Sequence, residues 1–307
     1  MAKQPIAELF GFPPDSETEQ AARYRANRLC PYNNKVPNCT KDSVTDPLGV
    51  CTIFHGDKLA VICPVRLRQD WMIADQAAAF FFPPNARWTT LVEVRLKDKF
   101  GKSAGNIDVV LVAYDEDGKI TDFGSLEVQT VYISGTLRKT FFNPVMGDRA
   151  AYLATDWAAS RKKNPGPDYL SSSRKRLAPQ LIFKGGILKA WKRKQAVAVH
   201  SAFYETLPKL PEASPAEADL AWLIYDLVLD ESGNKFNLVH TRTVFTEFKA
   251  ALDKITISEP GSVAEFLSAL QAKLDAKLEG ASLDQLADAP LDTPADRPDI
   301  LDELENL

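Results

Sequence analysis

Residues 107–114, IDVVLVAY, and residues 124–132, GSLEVQTVY, decide how this chain is read. Both runs are dense in β-branched and aromatic residues, the composition of a strand packed in a sheet. The turn between them, DEDGKITD, contains the Asp-Gly pair of a tight reversal, so the two runs are expected to lie side by side. Each also carries an acid where an apolar residue would be cheaper: Asp108 in the first, Glu127 in the second. Residues two apart on a strand share a face, so Gln129 projects with Glu127, and Asp108 can reach the same place from the neighbouring strand. Two carboxylates on strands that otherwise look buried are costly unless a cation compensates them. A hard divalent ion such as Mg²⁺ is the natural partner, taking one or two carboxylates and leaving room for water and a phosphate. Gln129 would then position the attacking water or a phosphate oxygen. Taken alone the D-x18-E-x-Q spacing is weak, and a polar strand edge is the plain alternative.

Working outward, residues 91–96 (LVEVRL) read as a third strand, with Glu93 either a further acid of the site or a solvated strand residue. Residues 71–82 read as a helix stopped by Pro83-Pro84. Residues 16–29 read as a short helix opened by the capping pair Ser16 and Glu19. Residues 147–163 form a helix broken by Asn164-Pro165-Gly166-Pro167, and 173–194 a second, with Gly185-Gly186 as a point of interruption. A short strand at 196–200 and a strand pair at 220–229 and 236–245, turning through Glu231-Ser232-Gly233-Asn234, complete a mixed α/β sheet protein. After Thr246 the pattern is helical, with an amphipathic stretch at 263–278, and from Ala281 the chain is acidic and proline-bearing, the composition of a disordered tail.

The 307 residues hold 45% apolar side chains, enough for a substantial core, and a net charge of −4 that argues against a general nucleic-acid coat protein. No apolar run is long enough to cross a bilayer and none of signal-peptide type precedes Pro13-Pro14, so a cytoplasmic protein is expected. In that compartment four thiols do not pair stably as disulfides. They are clustered: Cys30, Cys39, Cys51 and Cys63 are spaced x8, x11 and x11. Prolines follow Cys30 and Cys63, and Gly49 stands two residues before Cys51, the local geometry of ligand loops. A closed tetrahedral S4 site suits zinc or iron and is structural, with no open position for catalysis; four buried free thiols are the alternative. The charge is also uneven. Between residues 161 and 194 eleven cations meet one acid, Asp168. Such a run attracts phosphate, and Arg174, Lys175, Arg176, Gln180 and Lys184 are its candidates for DNA contact, against the alternative of a solvated face.

The stretch FGSLEVQT with Asp108 upstream resembles the NotI/EagI group of type II restriction endonucleases, a branch of the PD-(D/E)xK nucleases in which glutamine replaces the usual lysine. LCPYNNK, PLGVC and ICPVRL around the cysteines, and RKRLAPQLIFKG at 174–185, resemble the same family in the same order, covering roughly residues 5 to 210. The resemblance implies a PD-(D/E)xK-like mixed central sheet flanked by helices. It implies that Asp108 and Glu127 hold a catalytic Mg²⁺, with Gln129 in the lysine position, and that the four cysteines hold one structural metal, iron favoured over zinc. It further implies a homodimer making a double-strand cut in GC-rich palindromic DNA. Three segments follow: 1–70 with the cysteine site, 71–280 with the nuclease core and DNA-binding region, and the acidic tail 281–307. The rival is a DNA-binding protein with a metal knuckle and no catalysis, in which both acids are structural; a repair or low-specificity nuclease is a further alternative.

Overall fold

The structure, a computed structural model, describes residues 4–33, 36–157, 159 and 164–278. The acidic tail and Arg161, Lys162 and Lys163 of the basic run lie outside the described residues. Alternating apolar side chains make a sheet with two buried faces. Strands β1 (Ile6–Leu9), β2 (Val50–His55) and β3 (Lys58–Val61) form a small antiparallel sheet. The large sheet contains β4 (Trp88–Lys97), β5 (Ser103–Tyr114) and β6 (Ile120–Gln129), while β7 (Tyr132–Ser134) and β8 (Gly166–Asp168) pair separately. With β9 (Gln195–His200), β10 (Leu220–Leu229) and β11 (Phe236–Thr246), its order is β11-β10-β9-β6-β5-β4. The sheet is mixed: β9 runs parallel to both β6 and β10, and the remaining neighbours are antiparallel.

Helix α1 (Glu19–Ala26) precedes the cysteines and α2 (Met72–Phe81) follows them. On one face of the large sheet Val109, Leu111, Leu126, Ala196, Ala198, Ala221 and Leu223 share a core with Ile73, Ala74, Ala77 and Phe81 of α2. Gly124 allows that approach, since a Cβ there would stand 2.4 Å from the Phe81 ring. On the other face Val197, Val199, Leu220 and Trp222 pack with Leu177 and Leu181 of a helical segment spanning 169–190, and with Phe248 and Ala251 of the helix Phe248–Thr256. Residues up to Ile257 form one compact unit; the segments 1–70 and 71–257 share it, so the expected boundary near 70 is not a break in packing. In the second unit the helix Val263–Leu278 presents Phe266, Leu267, Leu270 and Leu274 in exposed positions.

The structure revises several local expectations. The N-cap of α1 is Thr18, whose hydroxyl accepts from Ala21 N at 3.2 Å, whereas Ser16 is buried and bonded to Asn234. The run 124–132 is not one strand. It leaves the large sheet after Gln129, where Val131 N donates to Val61 O of the small sheet, and Tyr132 begins the separate pairing with β8. The helix expected from 147 is two short ones, Asn143–Gly147 and Arg149–Ala154, because Asp148 is extended and caps the second through Ala151 N. Gly185-Gly186 does not interrupt its helix: both residues hold ordinary right-handed helical angles.

A buried ion pair ties the small sheet to the large one. Arg66 and Glu8 are both fully buried, and Arg66 Nε lies 2.9 Å from each Glu8 oxygen. Tyr32 and Thr52 hydroxyls also donate to Glu8, while Arg66 bonds Gln69 and the carbonyl of Phe236 in β11. Removing one partner strands the other charge without water. The substitution Arg66→Met is expected to cost about 3–5 kcal/mol of stability by urea titration; a loss under about 1 kcal/mol would show the cluster is not a structural anchor.

Candidate active site

Strands β5 and β6 pair with Val109 opposite Leu126, so the next position sets Asp108 beside Glu127. Leu126 and Val128 face α2, which turns Glu127 and Gln129 to the opposite side, toward the segment 169–190. The backbone itself helps to hold Asp108: Val128 N donates to its Oδ2 at 2.8 Å. Glu127 is buried, with Lys184 Nζ 2.6 Å from Oε2. Its other oxygen, Oε1, is buried with no hydrogen-bond partner among the described residues. Burial, and then the charge of Asp108, push the Glu127 carboxyl up to about 7, against the opposing pull of Lys184. Gln129 is buried too and donates through Nε2 to Thr130 O at 2.6 Å.

A cleft of about 530 Å³ opens where the chain leaves β6. Asp108 and Gln129 lie in it with Arg176 and Gln180 on one side and Lys41 and Arg138 on another. Arg176 stacks its guanidinium 4.9 Å from the centre of the Tyr132 ring. Asp42 lines the cleft as well and, with Asp46, pairs with Arg138, so the lining mixes acids, cations and amides. Glu93 stands across from Asp108 in register, between the pairs Val92–Val109 and Val94–Ile107; it is exposed, and its backbone takes a left-handed φ of +55° inside a strand.

The candidate DNA contacts separate. Arg176 and Gln180 line the cleft, and Arg174 and Lys175 are exposed outside its lining. Lys184 is buried on Glu127, away from any surface stripe. The basic run is also not a continuous patch. Lys189 pairs with Asp219, Arg193 with Asp122, and Lys194 donates to Phe80 O, so acids and carbonyls from distant elements absorb much of its charge. Lys41 and Arg138, missed in the sequence, reach the cleft from remote positions; only the topology brings them there.

The cysteines come in two linked pairs. Cys30 N donates to Pro37 O and Cys39 N to Arg28 O, clasping the first two in one loop. Cys63 N donates to Cys51 O across the β2–β3 hairpin. Burial raises the Cys51 thiol well above its ordinary value, and the nearby Cys63, Glu8, Cys30 and Cys39 add to the shift. Burial likewise pushes Cys30 up to about 12, with Cys63 and Cys39 contributing. Gly49 holds a φ of +71° beneath Phe10, leaving no space for a side chain at the approach to Cys51. Among the described residues no group of three or more His, Cys, Asp or Glu side chains is placed to hold a metal ion, so the expected four-cysteine site is not formed in this structure.

A mixed sheet that carries two adjacent acids beside a polar cleft is consistent with a nuclease fold. The sequence model of the family described as restriction endonuclease NotI matches residues 16–238, most of the chain. The chain belongs to that family and is a site-specific deoxyribonuclease, a type II restriction endonuclease. The match extends past residue 210, where the resemblance by motif fades, and takes in the β9–β10 core. No curated protein matches the chain significantly. Among the described residues no helix is long and apolar enough to cross a membrane.

The raised Glu127 carboxyl has a stability consequence. A carboxyl that holds its proton more tightly in the fold lends stability fully below its unfolded value of 4.5, and that stability is lost as pH rises through about 7. Without added divalent metal, the melting temperature of the native protein relative to Glu127→Gln is therefore expected to fall across this window and level off above it. A difference that stays constant from pH 5 to 8 would rule out the buried, proton-retaining carboxyl.

Proposed function

We propose that this endonuclease hydrolyses phosphodiester bonds of double-stranded DNA at the Asp108–Glu127 pair with Mg²⁺. The observation that carries the reading is the buried, unpartnered Glu127 Oε1 on the strand position beside Asp108, which lines the cleft. Hard carboxylate oxygens fit a hard cation, and Asp108 and Glu127 are the residues that would hold it. When bound, the ion supplies positive charge for in-line hydrolysis. Asp108 is oriented by the Val128 N–H, so its carboxylate is fixed before substrate arrives. Gln129, an amide, can align a water or a phosphate oxygen without contributing net charge. Arg176 and Gln180 would seat the DNA backbone, with exposed Arg174 and Lys175 adding long-range attraction.

Cutting both strands of a palindromic, GC-rich site requires two-fold symmetry, so the active form is proposed to be a homodimer. Cys30, Cys39, Cys51 and Cys63 are proposed to hold one structural iron or zinc ion. Their donor chemistry fits a soft cation: Cys30, Cys39 and Cys51, whose charged forms are disfavoured by burial and by neighbouring thiols, would gain from one shared with Cys63.

Asp108→Ala and Glu127→Ala are each expected to lower single-turnover plasmid cleavage by roughly 100- to 1000-fold while retaining DNA binding in Ca²⁺. Wild-type rates in either variant would remove that residue from the site, and absence of cleavage by the wild type itself would favour the non-catalytic DNA-binding reading. Digestion of a phage genome should give discrete fragments; a smear would point to a low-specificity nuclease. Metal analysis decides iron or zinc, and Cys39→Ser is expected to lose that metal. Full metal content in Cys39→Ser would refute the four-thiol ligand set.

A further inference from the structure

We propose that Lys184 is a catalytic residue of this site: its ammonium, delivered from the helical segment 169–190, serves the scissile phosphate. The inference rests on the reading of Asp108 and Glu127 as the hydrolytic pair. Arg176, Gln180 and Lys184 recur at steps of four along one segment. The first two line the cleft, and the third reaches Glu127, the neighbour of the cleft residue Asp108. Lys184 has a side-chain exposure of only 6%, and its Nζ lies 2.6 Å from Glu127 Oε2 and 2.8 Å from Asn106 O. An ammonium has three N–H donors, and these partners engage two. A third is left for a ligand oxygen.

The surroundings fix this lysine closely. Gly185, the next residue, has no room for a Cβ, which would stand 2.5 Å from Phe248 and 2.8 Å from the Gln195 amide oxygen. Gln195 Nε2 in turn donates to Gly185 O. Gly105, at φ +109°, runs β5 alongside the lysine stem, where a Cβ would be 3.5 Å from Lys184 Cδ. A lysine and a glutamate removed from water offer little net stability over an apolar pair of the same size, so stability alone is a poor reason for placing them beside Asp108.

The chemistry has a use for the charge. In hydrolysis the water oxygen bonds to phosphorus, the P–O3′ bond breaks, the water proton passes to solvent, and the departing O3′ is protonated. Negative charge builds on the phosphate oxygens throughout. Gln129 cannot offset it, and its amide is already turned to Thr130 O. Lys184 offsets it by donating a hydrogen bond, with no proton leaving the ammonium. In the free protein the same ammonium neutralises Glu127, and therefore competes with a divalent cation for that carboxylate.

The test pairs cleavage with metal binding. Lys184→Gln is expected to lower single-turnover plasmid cleavage about 100-fold, with DNA affinity in Ca²⁺ unchanged. Its Mn²⁺ affinity without DNA, read by electron paramagnetic resonance, should be equal to or tighter than that of the wild type. Lys184→Arg, which keeps charge and bulk, should cut faster than Lys184→Gln; if the glutamine variant misfolds, the comparison of Lys184→Arg with Lys184→Met decides. Cleavage by Lys184→Gln within about threefold of wild type would overturn the proposal, being far short of the loss of one charge-stabilising donor. So would a loss of cleavage matched by a loss of Mn²⁺ affinity, since the lysine would then only hold the acids in place. Asp108→Asn serves as control: if it cuts normally, the paired-acid reading fails, whatever Lys184 does.

Discussion

Glu127 sits inside the protein beside a second carboxyl, and water does not solvate its outer oxygen. Much of the architecture answers to that placement. The β5–β6 register must hold for Asp108 to lie next to it, because a slip of one residue would put the two acids on opposite faces, one of them against α2 and an apolar core. The parallel pairing of β6 with β9 carries Glu127 and Gln129 opposite Val197 and Val199, under the segment 169–190. That segment supplies Lys184, the cation that makes the burial tolerable in the free protein. The departure of the chain from the sheet after Gln129 opens the cleft above the pair. Sheet order, register and helix position thus converge on one costly electrostatic arrangement.

The central sheet was legible because its strands are apolar runs of the right length separated by clear turns. β10 and β11 and the Asp-Gly connection between β5 and β6 are cases in which local pattern and tertiary pairing agree. Where the pattern misled, a long-range contact had the deciding influence. Val131 has strand propensity, yet its N–H is claimed by Val61 from another sheet. Gly185-Gly186 weaken a helix locally, yet Gly185 is held in one by close packing against Phe248. The site was readable in part. Asp108, Glu127 and Gln129 stand out as polar groups on buried strands. The partnership of Glu127 with Lys184 spans 57 residues and no spacing rule encodes it. Counting charge along the sequence also placed Lys189, Arg193 and Lys194 on an open patch, because their partners Asp219, Asp122 and Phe80 are remote.

The two buried acid–cation pairs play different parts. Glu8 is saturated: Arg66, Tyr32 and Thr52 all donate to it, and the guanidinium also donates to Gln69 and to the Phe236 carbonyl. Such a closed network fixes geometry and offers nothing to a ligand. Glu127 is left one donor short. The contrast between a satisfied and an unsatisfied carboxylate, in one fold and at similar depth, separates a structural joint from the proposed site more sharply than burial or charge does.

The thiol loops and the cleft are built from one stretch of backbone. Ile62 and Pro64, the immediate neighbours of Cys63, lie in the cleft wall, as does Leu48, next to Gly49. Lys41, two residues beyond Cys39, reaches across to bond the Ile62 carbonyl at 2.6 Å. Whatever fixes the sulfur atoms therefore also sets the width of the groove, and a redesign of target specificity cannot treat the cysteine loops as a detachable clasp.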